Sequence, residues 1–441
     1  MTATRTTGFF GALLAAGLMI AACGSDKDSS STAAPTTTVA SAATSATTGV
    51  ATTSPSAAST VAASDTTVVA AAGDIPSGPA DLAPKTLDEA KALVAEYSKE
   101  VTNVGVEEPT SKKPEPGKKV VFIECNLPPC KAFADGVEDA TKLIGWTLTR
   151  LTYEFTPEGE QGAFQQAVDL DPDVIMSSGQ TPAFTLKARQ EAKDKGIIFI
   201  DQSAVYEADA TTAVGRVDSD PAPPTVLISG AGFVAFQNGV LPASWAAAQT
   251  DGNVKAIVVN VPDIPIVVPP EVSFEATLHN VCPDTCSVIS VHATAGDIGT
   301  NIPGMVVSAL QENPDANYIY TTSGDFLLGV EAAVKAAGFN DVKIVDATPS
   351  QDDLDSMNSG GIVEATTGLS NIVVGWRQVD AAVRYFNGDE IPSPVAFTAA
   401  DKSAAAWLQT RIYTQDNAPK SNLWIAPENY VDIFKKLWNI T

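Results

Sequence analysis

The stretch PDVIMSSGQTPAFTLKARQEAKDKGIIFID, residues 172–201, decides the fold class. It opens on PDVIMSS (172–178) and closes on IIFID (197–201), two short apolar runs without polar alternation. Strands of that kind are buried on both faces of a sheet. Between them lies TPAFTLKARQEAKDKG, a stretch of helical character. Strand, helix and strand in that order imply two parallel neighbours joined by a right-handed crossover.

The same unit recurs in both directions. Upstream, KKVVFIE (118–124) leads into a helical stretch over 131–144 that ends at Gly145, and TLTRLTY (147–153) precedes GEQGAFQQAVDL. A long apolar segment, 223–248, reads as helix. Beyond it VKAIVVN (254–260) precedes SFEATLHNV, CSVISVH (286–292) precedes PGMVVSALQENP, and NYIYTT (317–322) precedes GDFLLGVEAAVKAAG. DVKIVDA (341–347) and GIVEATT (361–367) complete the set. Two such groups, on either side of about residue 220, imply an α/β protein of two doubly wound lobes with parallel sheets. In such sheets ligands bind beyond the carboxyl ends of the strands, so two facing lobes would share one cleft.

Composition narrows the function. The body from residue 118 onward is long enough for two domains. The chain carries 27 basic and 52 acidic residues, a net charge of −25, which repels phosphate backbones and argues against nucleic acid as a partner. Only two histidines occur, His279 and His292, without metal-ligand spacing, so no metal site is expected. Neither a G-x-x-x-x-G-K loop nor a G-x-G-x-x-G fingerprint is present, so any ATP hydrolysis has to come from another chain, and no cofactor is expected. No G-x-S-x-G elbow occurs and the histidines fall outside the expected cleft loops, so the chain does not read as an enzyme.

The amino-terminal region reads as address and tether. Arg5 precedes GFFGALLAAGLMIAA (8–22), an apolar run too short to span a bilayer of about 30 Å, which is the pattern of an export signal over 1–22. Ile20-Ala21-Ala22-Cys23 resembles the lipobox of bacterial lipoproteins, which implies lipidation of Cys23 and attachment to the outer face of the cell membrane. Residues 23–84 are rich in Ser, Thr and Ala, with scattered Pro and no aromatic side chain, so they are expected to be a disordered tether. Thr86-Leu87-Asp88-Glu89 matches a capping box, and a helix followed by a Pro-rich connector should occupy 85–117. Four cysteines remain in two close pairs, Cys125 with Cys130 and Cys282 with Cys286. In an exported chain they imply disulfides, and of three connectivities the local one is favoured because each pair sits across a turn.

Three stretches, 172–201, 309–350 and 361–388, resemble the type I periplasmic binding proteins of the ribose-binding kind, substrate-binding proteins of sugar ABC transporters. The Cys-bracketed first loop and second Cys pair are similar to actinobacterial lipoprotein members. The resemblance implies two Rossmann-like lobes joined by a three-strand hinge, with crossings at 214–218, 366–369 and between 397 and 414. It divides the body into 118–218 plus about 368–405, and 219–367 plus about 406–441. It also implies a monomer that closes over a small-molecule ligand and delivers it to an ABC permease with its ATPase, or a sensing protein that signals to a membrane receptor.

The family's ligand positions transfer in part. Its two acidic residues fall on Asp201 and Asp346, which the resemblance makes acceptors for ligand hydroxyls. Elsewhere the pattern changes: Gln202 stands where sugar binders carry Arg, the first loop reads Leu127, Pro129 and Cys130 beside Asn126, Ser323-Gly324 replaces Asn-Asp, and Leu369 replaces Gln. Trp376 opens the helix after the return crossing and is a further cleft candidate. The loop VPDIPIVVPPEV (261–272) has no basic residue. A cleft with these replacements fits a less polar solute better than a simple pentose or hexose, with a sugar-like ligand as the alternative.

Overall fold

Buried, unalternated strands sit in the middle of two sheets. The computed structural model describes residues 83–154, 156–180, 182–204, 225–391 and 409–440. The expected signal peptide, Cys23, nearly all of the tether, the crossing at 214–218 and most of the 397–414 segment lie outside those residues.

The described chain starts with helix Leu87–Tyr97 (α1), whose N-cap Thr86 side chain accepts from the Glu89 N–H, as the capping pattern requires. Lys119–Cys125 (β1) is buried along all but its first residue. It lies between Thr147–Tyr153 (β2) and Val174–Ser178 (β3). Ile198–Ala204 (β4) and Thr225–Gly230 (β5) extend the first sheet, ordered β2-β1-β3-β4-β5 and parallel throughout. Helices Pro128–Leu143 (α2), Pro157–Asp169 (α3) and Pro182–Lys195 (α4) connect these strands.

The apolar segment 223–248 departs from the expected single helix. Its first part is β5, an edge strand of the first sheet, so the change of sheet comes after Gly230 rather than near residue 220. A short apolar run fits a buried strand as well as a helix, and Thr225, Val226 and Ile228 are β-branched. Helix follows as Ala231–Ala235 (α5), the π-helical turn Phe236–Val240 and Leu241–Gln249 (α6).

The second sheet contains Lys255–Asn260 (β6), Ser287–His292 (β7), Tyr318–Thr321 (β8), Lys343–Ala347 (β9) and Val363–Gly368 (β10). Its helices are Val268–Val281 (α7), Ile302–Glu312 (α8), Val330–Ala336 (α9) and Gln351–Ser359 (α10). After β10 the chain returns through Asn371–Asn387 (α11) to pack on α2, β4 and β5. Arg411–Thr414 (β11) then joins β10 antiparallel, giving the order β11-β10-β9-β8-β6-β7. Helix Tyr430–Leu437 (α12), assigned above to the second lobe, packs instead on α11 beside the first sheet.

Two glycines bring α2 and α11 together. A Cβ on Gly136 would stand 2.1 Å from the Ile372 carbonyl oxygen, and one on Gly375 would stand 2.3 Å from that of Phe133. No larger residue fits either position without moving backbone. The connector over 98–117 is held by hydrogen bonds: Trp146 Nε1 donates to Glu115 O (2.7 Å), Arg384 Nη2 to Glu108 O (2.6 Å) and Thr110 N to Leu437 O (2.8 Å). Both local disulfides, Cys125–Cys130 and Cys282–Cys286, are formed. Among the described residues no helix is long and apolar enough to cross a membrane.

Candidate ligand cleft

The carboxyl ends of both sheets open on one cavity of about 130 Å³. The first sheet contributes Leu127, Pro129 and Phe133 after β1, Ser178 and Gly179 after β3, and Gln202 on β4. The second contributes Ile264, Ile266 and Val267 after β6, Thr322, Ser323 and Phe326 after β8, and Thr348 after β9. Cys125 and Cys130 bracketing the first loop, Phe233 and Val234 of α5, Gln237 and Asn238 of the π turn, and Leu369 and Asn371 at the return crossing complete the wall among the described residues. None of the lining side chains among the described residues carries a formal charge.

Of the residues expected at the ligand, the structure places Leu127, Gln202, Ser323 and Leu369 on this wall. Asn126 is exposed and off it. The other three, Asp201, Asp346 and Trp376, lie off it.

Asp201 is fully buried inside the first lobe. Its Oδ2 pairs with Arg189 Nη2 at 2.8 Å, and Oδ1 accepts from Ser177 Oγ (2.7 Å) and Gln180 Nε2 (2.6 Å). The Arg189 guanidinium lies 4.6 Å from the centre of the Phe199 ring. The pairing of β4 with β5 shifts register between Asp201 and Gln202, at the point where one residue is committed to the lobe and the next reaches the cleft. Gln202 then accepts from Ser178 Oγ (2.9 Å) and donates to Ser229 Oγ (3.3 Å).

Asp346 is also fully buried and off the wall. Burial, and then the charge of the neighbouring Asp353, hold its carboxyl well above the usual carboxylate range. Asp353 accepts from both the N–H and the hydroxyl of Ser350, closing the capping box of α10. The pair is part of the lobe, not of the cavity surface.

Trp376 belongs to a stack of aromatic rings. Its ring lies parallel to Trp438 at 5.5 Å and meets Phe434 at 5.3 Å and Tyr430 at 5.2 Å. Helix α12 therefore covers the face of α11 that carries Trp376. Below it Asp380 accepts from Arg377 Nη1 (2.8 Å), Arg384 Nε (2.9 Å) and Trp438 Nε1 (2.9 Å), a buried network that fixes α12 on α11.

Gln237 and Asn238 were missed from sequence. They are the polar pair inside an otherwise apolar run, AGFVAFQNGVLPASWAAA, and that interruption was the available signal. π turns are rare and concentrate at functional sites. This one is pinned on several sides. Thr367 Oγ1 donates to Gln237 O (2.7 Å), the Tyr320 hydroxyl donates to Asn238 O, and Ser273 Oγ donates to Ala235 O (2.7 Å). Gly239 lets α7 approach, because a Cβ there would lie 2.0 Å from Ser273 Oγ and 2.3 Å from Pro270 O.

Comparison with known proteins resolves the family. Residues 129–390, more than half of the chain, match the model of the periplasmic binding protein domain. This chain belongs to the periplasmic binding protein family. Its two-lobed fold is of type I. A search of curated proteins finds no match. Among solved structures, a 5-methylthioribose transporter solute-binding protein from Thermotoga lettingae, with 5-methylthioribose bound, aligns with TM-score 0.55 at 18% identity, over 75% of this chain and 100% of its own. An ABC transporter periplasmic solute-binding protein from Actinobacillus succinogenes, with bound D-allose, aligns with TM-score 0.53 at 18% identity, over 63% and 94%. A glucose-galactose binding protein from Geobacillus stearothermophilus aligns with TM-score 0.54 at 15% identity, over 69% and 100%. At these identities the neighbours speak for the fold of this binding protein, and the chemistry of its cleft rests on its own residues.

Proposed function

We propose that this binding protein is an extracytoplasmic lipoprotein, anchored through Cys23, that captures a small molecule between its lobes and delivers it to an ABC permease and its ATPase. The observation that carries the reading is a cavity whose walls, among the described residues, come from the carboxyl ends of both sheets. A ligand that touches both walls has differential contacts with open and closed forms, which is what shifts the population toward closure. The fold neighbours are transporter proteins whose named ligands are single small molecules, D-allose and 5-methylthioribose. The lipobox-like run ending at Cys23 and the Ser/Thr/Ala-rich stretch after it support this reading, because a lipid anchor on a tether would hold the body close to a membrane-bound permease.

Two measurements test the reading. Small-angle X-ray scattering of protein stripped of small molecules, with and without a small-molecule fraction of the source cells, should show a contraction on addition. An unchanged profile would remove ligand-driven closure. Radiolabelled palmitate should enter the wild-type chain and not Cys23→Ser, which should be released from membranes. Equal labelling of the two would place the anchor elsewhere.

A further inference from the structure

The hydrogen bonds around the π turn define which ligand chemistry the cleft accepts. The Thr322 carbonyl oxygen is an acceptor only, so Asn238 must present its Nδ2 to it (3.1 Å), and the same Nδ2 reaches Thr348 Oγ1 at 3.2 Å. Asn238 Oδ1 is thereby left as an acceptor, and Gln237 Nε2 donates to it at 2.8 Å. That fixes the Gln237 amide with its Oε1 as the remaining atom. Turning the amide over would set two acceptor oxygens against each other. Gln237 is 6% exposed, stands on the cavity wall, and its Oε1 has no hydrogen-bond partner. A buried acceptor without a donor costs about 1–3 kcal/mol, which an incoming N–H or O–H would recover.

Beyond Gln237 the wall also carries Ser323 and Asn371, and its other polar side chains are engaged within the protein. Ser178 and Gln202 are joined to each other and to Ser229, and Thr322 Oγ1 donates to Asn260 Oδ1 at 3.1 Å. Phe133, Phe233, Phe326, Ile264, Ile266 and Leu369 make much of the remaining surface. A hexose carries five hydroxyls that each need partners in a closed site. This wall has few to give, and no charged group among its described residues to strengthen them. The volume is close to that of cavities that hold one benzene-sized ring, roughly 150 Å³.

We propose that the cleft selects an uncharged, largely apolar molecule about one ring in size whose hydroxyl or N–H group donates to the amide oxygen of Gln237. This rests on the cleft being the solute site, and it names the class of solute: neutral cyclic or aromatic alcohols and amides rather than sugars or ions.

Calorimetry on the full chain, stripped of small molecules, tests this with benzyl alcohol, benzyl methyl ether, benzoate and D-galactose. Benzyl alcohol should bind saturably, about five- to tenfold more tightly than the ether that lacks its donor. Benzoate and D-galactose should bind more weakly than the ether. Gln237→Leu should bring alcohol and ether to equal affinity. The alcohol-to-ether ratio in the unsubstituted protein is informative even if that variant does not fold. Preference for galactose or benzoate, absence of saturable binding of the alcohol, or a ratio unchanged by Gln237→Leu would overturn the assignment. Scattering separates the two levels: contraction with galactose would keep the solute-binding role and reject this ligand class, whereas no contraction with any probe or with the cell fraction would reject both.

Discussion

Replacing Asp201 by alanine should act on stability, not on the ligand surface. Asp201 and Arg189 are both fully buried, with 2.8 Å between Oδ2 and Nη2. Truncation leaves a guanidinium in the interior without its carboxylate and takes the acceptor from Ser177 Oγ and Gln180 Nε2. Breaking one side of a buried pair costs about 3–5 kcal/mol. Set against a total of about 5–15 kcal/mol, that is a large fraction of the folded state's margin. At roughly 2–4 °C per kcal/mol for domains of this size class, the midpoint should fall by on the order of 10 °C. Thermal unfolding followed by circular dichroism measures the shift, and calorimetry with benzyl alcohol below the transition should show affinity within about twofold of wild type. Replacing both partners, Arg189→Met with Asp201→Leu, should recover most of the loss because neither charge is then stranded. An Asp201→Ala protein of wild-type stability that no longer binds ligand would refute the reasoning and return Asp201 to the site.

Other perturbations have equally definite outcomes. Gly375→Ala should destabilise by about 1–3 kcal/mol, since its Cβ would meet the Phe133 carbonyl at 2.3 Å; a variant as stable as wild type in urea would mean that α2 and α11 are not packed this closely. Reducing Cys125–Cys130, or replacing both by serine, should cost about 2 kcal/mol for so short a loop and loosen the cavity wall that both cysteines line; unchanged unfolding and probe affinity would contradict it. The buried carboxyls of the second lobe make stability depend on pH. Burial raises Asp325 to about 6, and burial with the neighbouring carboxylate raises Asp346. The folded state therefore holds protons that the unfolded chain has already released, so this contribution is complete below about pH 4 and is lost as pH rises through about 6 and beyond. Asp346→Asn, which mimics the protonated form, should flatten that decline in urea titrations; an identical slope in both proteins would disprove it.

Much of the architecture was legible because its signals are local. Runs such as VKAIVVN are short, rich in β-branched residues and set between stretches of helical period, and that alternation marks them as buried strands. The six residues of β5 were absorbed into a helix because an apolar run carries no period of its own, and the partner that makes it a strand, β4, lies across the residues outside the described set. The site was legible only in outline. Asp201 and Asp346 do end strands, but which way a strand-end carboxylate turns depends on what waits in the lobe. For Asp201 it is Arg189 on α4, which only tertiary packing brings to it; Asp346 lies buried beside Asp353 of α10. Trp376 was ambiguous for the same reason: the rings that cover it arrive with α12, more than 50 residues later in the chain. Gln237 depends on a π turn, and nothing in the amphipathic pattern announces one.

The most direct measurement of the central claim is native mass spectrometry of the chain as purified, followed by identification of what it releases. One uncharged small molecule per protein, bearing an O–H or N–H and an apolar body, and held at lower occupancy by Gln237→Leu, is the expected result. A bound sugar, a charged metabolite, or a ligand retained unchanged by that variant would contradict it.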